Sequence, residues 1–190
     1  MCERPLIAVI SGSLQPDGLT HRIARAVETI AADRLNIRHV PIGHLPLYNP
    51  ALEADGASVP VWTTFREAVA PADGVLFVTP EYNRSVPAAL KNAVDVGSRP
   101  YGASVFSSKP AGIISQSPGA LGGFGANHHL RQSLVFLDMP AMQQPEMYLG
   151  HSSALFGEEG ELVEGQGKTL LETFVAAFAV WVDRHPVRQG

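Results

Sequence analysis

Pro80-Glu81-Tyr82-Asn83-Arg84-Ser85-Val86-Pro87-Ala88-Ala89-Leu90-Lys91-Asn92-Ala93-Val94-Asp95 is the stretch on which the fold turns. It follows Gly74-Val75-Leu76-Phe77-Val78-Thr79, an unbroken apolar run that reads as a strand. A strand without polar alternation is buried on both faces, the condition of a parallel sheet covered by helices. From Pro87 to about Val96 the spacing turns helical, with Pro87 placed in the first turn and Ser85 as the expected N-cap. The stretch is therefore a strand-to-helix joint. It gathers a proline, a carboxylate, an aromatic ring and an amide at a strand's carboxyl end, where backbone and side-chain groups can meet a planar heterocycle.

The same joint recurs on either side. Upstream, Leu6-Ile7-Ala8-Val9-Ile10 is an apolar strand, followed by a Ser/Gly turn. A helix runs from about Gly18 to Arg34 on Leu19, Ile23, Ala26, Val27 and Ile30. Ile37 to Val40 reads as a short strand, Pro41 to Pro60 as a loop, and Val61 to Val69 as a helix. Downstream, Ala111 to Ile114 is a strand and Leu121 to Leu137 a helix with a glycine-rich entry. Met139 to Leu149 contains a fifth strand interrupted by Pro140 and Pro145. An amphipathic helix closes the pattern from Gln166 to Arg184, carrying Leu170, Leu171, Phe174, Phe178 and Trp181. This alternation implies an α/β three-layer sandwich: one domain over residues 1–190, with a five-stranded parallel sheet and helices on both faces. Flavodoxin-like and dinucleotide-binding strand orders both satisfy it, and either places ligands beyond the carboxyl ends of the strands.

Composition narrows the function. The 190 residues are 45% hydrophobic and 17% charged, enough apolar material for a packed core. A net charge of −4 disfavours a nucleic-acid partner. The single cysteine, Cys2, excludes an intrachain disulfide and a multi-cysteine zinc site, and its terminal position makes it a poor nucleophile. With no apolar run of about 18 residues and no signal-peptide pattern, the expectation is a cytoplasmic protein without membrane insertion. His128 and His129 are adjacent, point to different sides of a helix and do not form a chelating pair, so no metal site is expected. Ser117 lacks the glycine frame of a hydrolase elbow. Lys91 and Asp95 read as a surface ion pair at i, i+4, and Trp181 as core or subunit contact.

Three strand-end turns remain as the candidate site. Ser11-Gly12-Ser13-Leu14-Gln15-Pro16-Asp17-Gly18-Leu19-Thr20 joins the first strand to the first helix. Free N–H groups at a helix start attract anions, and Ser13 and Thr20 add hydroxyls. No Lys or Arg lies between Ile7 and His21, so a phosphate here would be held by dipoles and neutral donors, with Arg22 the nearest cation. The plainer alternative is that Ser and Thr only cap the helix. The other turns are Thr79 to Asn83 and Ser115-Gln116-Ser117-Pro118-Gly119. Arg84 and Arg99 are either contacts for an anionic substrate or solvated loop residues.

These motifs resemble those of the NAD(P)H-dependent FMN reductases, a flavodoxin-like family that includes quinone and chromate reductases. P-E-Y-N-x-S-x-P…L-K-N-A-x-D is met from Pro80 to Asp95 and continued by Ser98-Arg99-Pro100. The first-loop pattern is met by Gly12, Ser13, Leu14 and Thr20, a glycine pair by Gly122-Gly123, and L-R-x-x-L by Leu130, Arg131 and Leu134. The chain departs from the pattern at Gln15, where arginine is usual, at Gly18, where serine is common, and at Ala88, Val96 and Gly125.

The resemblance implies FMN as bound cofactor and NAD(P)H as co-substrate. Ser11, Ser13, Gln15 and Thr20 would hold the phosphate. Pro80, Glu81, Tyr82 and Asn83 would hold the ring, with Gln116, Ser117 and Gly119 lining the other side. It implies hydride transfer from NAD(P)H to the flavin and then to small-molecule acceptors at the same place, a ping-pong scheme with no indispensable side-chain acid or base. Arg99 and Tyr82 would be donor or acceptor contacts. Quinones, chromate, ferric chelates and azo compounds are the acceptor classes implied, and a homodimer or homotetramer the assembly. The competing expectation is a flavodoxin-type electron carrier that does not oxidise NAD(P)H.

Overall fold

The computed structural model describes residues 4–187. Cys2, and the reading of its thiol, lies outside the described residues. Five parallel strands form one sheet: β1 (Leu6–Ser11), β2 (Asn36–His39), β3 (Gly74–Pro80), β4 (Ala111–Gln116) and β5 (Tyr148–Leu149). Their order, β2-β1-β3-β4-β5, selects the flavodoxin-like arrangement over the dinucleotide-binding one. The helices are α1 (Leu19–Ala31), α2 (Pro60–Val69), α3 (Ala88–Gly97), α4 (Phe124–Phe136) and α5 (Gln166–Arg184).

Alternation along each strand sorts the core into two halves. Ile7 and Val9 of β1 and Leu76 and Val78 of β3 face α1 and α5, where Ile23, Val27, Phe174 and Phe178 meet them. Ala8, Ile10, Val75 and Phe77 face the other way, toward Trp62, Phe65, Leu90, Leu130 and Leu134. Every residue of β3 is buried, which is why its sequence lacks polar alternation.

The departures from the sequence expectations have local causes. α1 ends at Ala31 rather than Arg34, because Arg34 and Leu35 N–H groups both return to the Ala31 carbonyl. The segment read as loop contains a 3-10 turn, Pro50–Gly56, started by the Asn49 side chain accepting from Ala51 N–H. Pro87 is the N-cap of α3 rather than a member of its first turn, with ψ at 145°. Ser85 therefore does not cap the helix. The fifth strand shrinks to Tyr148–Leu149: the path from Met139 touches β4 once at Ala141, then turns through Pro145 before pairing. Trp181 donates to the Pro140 carbonyl at 2.8 Å and packs against the His185 ring at a tilt of 35°, which fixes the end of α5.

At the amino-terminal end of the sheet, Lys109 is 5% exposed and donates to the Ala70 and Ala72 carbonyls after α2. Burial lowers its pKa, partly offset by Asp73. Lys91 and Asp95 pair on the surface of α3 at 2.7 Å, as the i, i+4 spacing predicts. No helix of the described residues is long and apolar enough to cross a membrane. Nor do any three His, Cys, Asp or Glu among them gather closely enough to hold a metal ion.

Candidate functional site

The carboxyl ends of β1, β3 and β4 lie side by side, with Ser11 opposite Val78 and Pro80 opposite Gln116. Over them opens a cleft of about 540 Å³. It is lined by Ser13, Gln15, Asp17, Gly18, Leu19, Thr20, Arg22, Pro80, Glu81, Tyr82, Gln116, Ser117 and Pro118. Eight of the eleven residues expected to hold a cofactor meet there: Ser13, Gln15, Thr20, Pro80, Glu81, Tyr82, Gln116 and Ser117.

The first loop builds the anion end. Gly18 N–H closes a turn on the Gln15 carbonyl at 3.1 Å, and Gly18 becomes the N-cap of α1 with extended geometry and no side-chain cap. The first intrahelical bond is Arg22 N–H to Gly18 O, so the N–H groups of Leu19, Thr20 and His21 have no acceptor within the helix. A helix start that is left uncapped, with no acidic residue in its first turn, offers its dipole and donors to an outside anion. The alternative in which Ser or Thr caps this helix is thus not the arrangement found. Ser13 Oγ instead accepts from Gln15 N–H at 3.2 Å. His21, which the sequence reading passed over, holds the Ser13 carbonyl with its Nε2 at 2.8 Å and ties the loop to the helix.

The second turn is a two-residue hairpin. Tyr82 and Ser85 exchange backbone hydrogen bonds at 3.0 Å, with Asn83 and Arg84 both left-handed at φ 51° and 66°. Asn83 thereby sits at the exposed tip, outside the cleft lining; its contribution is to tolerate the left-handed turn. Tyr82 remains 53% exposed at the cleft mouth. Glu81 points inward: its Oε2 accepts from Ala126 N–H at 3.2 Å, capping α4, and Oε1 lies 3.4 Å from Arg84. A Cβ on Gly125 would come within 2.9 Å of that carboxylate and 2.6 Å of the Arg84 carbonyl, so glycine there lets the hairpin reach the helix. Glu81→Ala is expected to cost about 1 kcal/mol of stability through the lost cap, read as a lower urea midpoint with unchanged slope.

The third turn is held by a buried polar chain. Gln116 is 5% exposed; its Nε2 donates to Thr20 Oγ1 at 3.0 Å and its Oε1 accepts from Ser152 Oγ at 2.6 Å. Both polar ends of Gln116 are therefore engaged within the protein, and the side chain positions the first turn of α1 against β4. Ser117 Oγ accepts from Gly119 N–H, and Ser152 N–H donates to the Ser117 carbonyl. Gly119 shapes this turn without lining the cleft. Ser152 was not recoverable from sequence, since it lies 36 residues from Gln116 in a short 3-10 turn.

Two expected residues point elsewhere. Ser11, assigned to the phosphate by resemblance, faces a neighbouring cleft of about 450 Å³ bounded by Leu14, His21 and Val40 to Gly43, where its Oγ has no hydrogen-bond partner. It follows Ile7 and Val9 in the strand alternation, so its side chain turns toward α1. Arg99 lies beyond the end of α3, which carries the chain about 15 Å away from the cleft. There Arg99 Nη1 donates to Ser98. Val96, one of the departures from the family pattern, is fully buried in the core. His128 and His129 turn to different partners, Tyr148 and Ser85. The Tyr148 hydroxyl is pushed up to about 12, by burial first and by Glu146.

Comparison with known proteins agrees with the fold. The family model for NADPH-dependent FMN reductase matches residues 5–154. A quinone reductase of Pseudomonas putida is 53% identical over 176 residues, covering 93% of this chain and 94% of its own length. A 2-hydroxy-1,4-benzoquinone reductase of a Burkholderia species is 42% identical over 176 residues, covering 93% and 95%. Among solved structures, the flavoenzyme NAD(P)H:(acceptor) oxidoreductase FerB of Paracoccus denitrificans superposes with a TM-score of 0.89 at 34% identity, covering 96% of this chain and 99% of that one.

Proposed function

Since the chain belongs to the NADPH-dependent FMN reductase family, we propose that it is an FMN-dependent NAD(P)H:quinone oxidoreductase whose cofactor lies over the ends of β1, β3 and β4. The observation that carries the placement is the uncapped start of α1, which opens three N–H groups toward a cleft walled by Pro80, Tyr82 and Pro118. The donor set fits the group: main-chain N–H and hydroxyls at one end suit a phosphate, and apolar and aromatic faces at the other suit a flat ring. FMN supplies the redox chemistry when bound, relaying two electrons from NAD(P)H to an acceptor.

The residues of the chain bind and orient. Leu19, Thr20 and His21 N–H, with the Ser13 and Thr20 hydroxyls, would take the phosphate oxygens. Thr20 keeps its own hydroxyl hydrogen free while accepting from Gln116. Pro80 and Tyr82 would lie along the ring. Glu81 is committed to the start of α4, so its role is to fix the hairpin rather than to move a proton. Orientation in a preset cleft is the protein's main contribution to rate.

Tyr82 stands half exposed at an open mouth, which suits donor and acceptor entering in turn, the arrangement behind ping-pong kinetics. The relatives' names favour quinones as acceptors. An open mouth also admits chromate, ferric chelates or azo compounds. A single FMN-binding unit in the cytoplasm, assembled as a homodimer or homotetramer, completes the proposal.

The test is an anaerobic visible spectrum of the purified protein incubated with FMN. The expected result is protein-bound flavin absorbance that bleaches with NADH or NADPH and returns on adding a benzoquinone, with parallel lines in initial-rate plots. Protein that stays colourless, or bound flavin that neither nucleotide bleaches, contradicts the proposal; the latter result is that of an electron carrier.

A further inference from the structure

We propose that the cavity facing Ser11 is a second small-molecule site, taking a neutral hydroxyaromatic ligand. Strand alternation puts Ser11 on the same side of β1 as Ile7 and Val9. The residue is 6% exposed, and its Oγ is buried with no hydrogen-bond partner among the described residues. Ser115 and Ser152 are buried more deeply still, and both hydroxyls are bonded within the protein. A buried hydroxyl without a partner destabilises the fold that holds it, so one left in that state on a cavity wall marks where a ligand's polar group is due.

The walls define the ligand. The cavity, about 450 Å³, opens beyond the ends of β1 and β2 between Val9, Leu14, Pro16, Val40 and Ile42. No Asp, Glu, Lys or Arg among the described residues lines it. Its other polar side chains are already engaged: Ser13 Oγ accepts from Gln15 N–H, His21 Nε2 holds the Ser13 carbonyl, and His39 Nε2 meets Glu28. A carboxylate or phosphate would enter without a cation to meet it, at a high desolvation cost. Apolar walls with one open hydroxyl instead select flat apolar faces bearing a single hydrogen-bonding group, and the volume suits one or two rings. Hydroquinones belong to this class. On the proposed quinone reduction, which releases them, the site holds product away from the flavin; the binding itself does not depend on that reading.

The experiment measures equilibrium dialysis of 2-naphthol, and of naphthalene as the analogue without a hydroxyl, against the full chain with and without saturating FMN. One 2-naphthol is expected per chain in both conditions. Ser11→Ala is expected to weaken 2-naphthol by about 3- to 10-fold and naphthalene by less than about twofold. It should also raise the melting temperature of the unliganded protein by about 2–4 °C, since an unpartnered hydroxyl is removed. Gly43→Leu is expected to abolish binding of both compounds: a Cβ there meets only the end of the Leu14 side chain, at 3.3 Å, so the added side chain fills the cavity mouth without pressing on backbone. Absence of 2-naphthol binding overturns the proposal, as does an unchanged ratio of the two compounds in Ser11→Ala or a lowered melting temperature in that variant. Displacement of 2-naphthol by FMN also overturns it, placing the compound in the flavin cleft. If FMN itself does not bind, the FMN site is wrong, and the two variants still decide this one.

Discussion

Alanine at position 122 is expected to destabilise the protein by about 2–4 kcal/mol and to lower its melting temperature by about 5–15 °C. Gly122 is left-handed at φ +59°, and a Cβ there would lie 2.5 Å from the Tyr148 carbonyl carbon and 2.7 Å from its oxygen. It would also meet Gly150 N at 2.9 Å. These are backbone atoms of β5 and its exit, so no side-chain rotation relieves the contact. The two-residue strand would have to move, and with it the support of the Ser117 turn. Gly56 and Gly102 supply the control. Both are left-handed, at φ +78° and +85°, with nothing within 4 Å. Their alanine variants carry only the backbone cost, about 1 kcal/mol. Scanning calorimetry of the three apoprotein variants checks this. Melting of Gly122→Ala together with Gly56→Ala would show that the close approach costs nothing.

Gln116→Leu has an effect of similar size by a different route. Leucine fills the space of glutamine but leaves Thr20 Oγ1 without its donor and Ser152 Oγ without its acceptor. Those residues are 1% and 0% exposed. Each stranded buried group costs about 1–3 kcal/mol, so a loss of about 2–6 kcal/mol is expected. The first turn of α1 also loses its tether to β4, and FMN affinity should fall by about tenfold or more. Removing the stranded partners tests the cause: Thr20→Val and Ser152→Ala added to Gln116→Leu should recover part of the stability, since a fully apolar replacement avoids unpaired groups. Urea unfolding and FMN titration of the single and triple variants read both quantities. A triple variant less stable than Gln116→Leu would place the cost in packing instead.

The parts of the fold that were legible in the sequence are those governed by burial. Val75 to Val78 and Ile7 to Ile10 are apolar because both faces are covered, and α5 spans Gln166–Arg184 as its apolar spacing predicts. Alternation of strands and helices is the same in both doubly wound arrangements, so the flavodoxin-like strand order was legible only through the motif resemblance. The site was legible where one turn makes it: Ser13, Gln15, Thr20 and Pro80 to Tyr82 are local to strand ends. It was not legible where the chain closes on itself. Ser152 bonds Gln116 across a separation that no spacing rule reaches. Ser11 lines the neighbouring cavity because the motif carries residue types, whereas strand alternation decides which face each one takes.

On the proposed function, the start of α1 and the three strand-end turns form one phosphate-and-ring cleft. It is tested most directly by a crystal structure of the protein with FMN. The phosphate is expected within hydrogen-bond distance of the Leu19, Thr20 and His21 N–H groups, with the ring against Pro80 and Tyr82. Flavin bound in another cleft, or a phosphate that makes none of those three contacts, would contradict it.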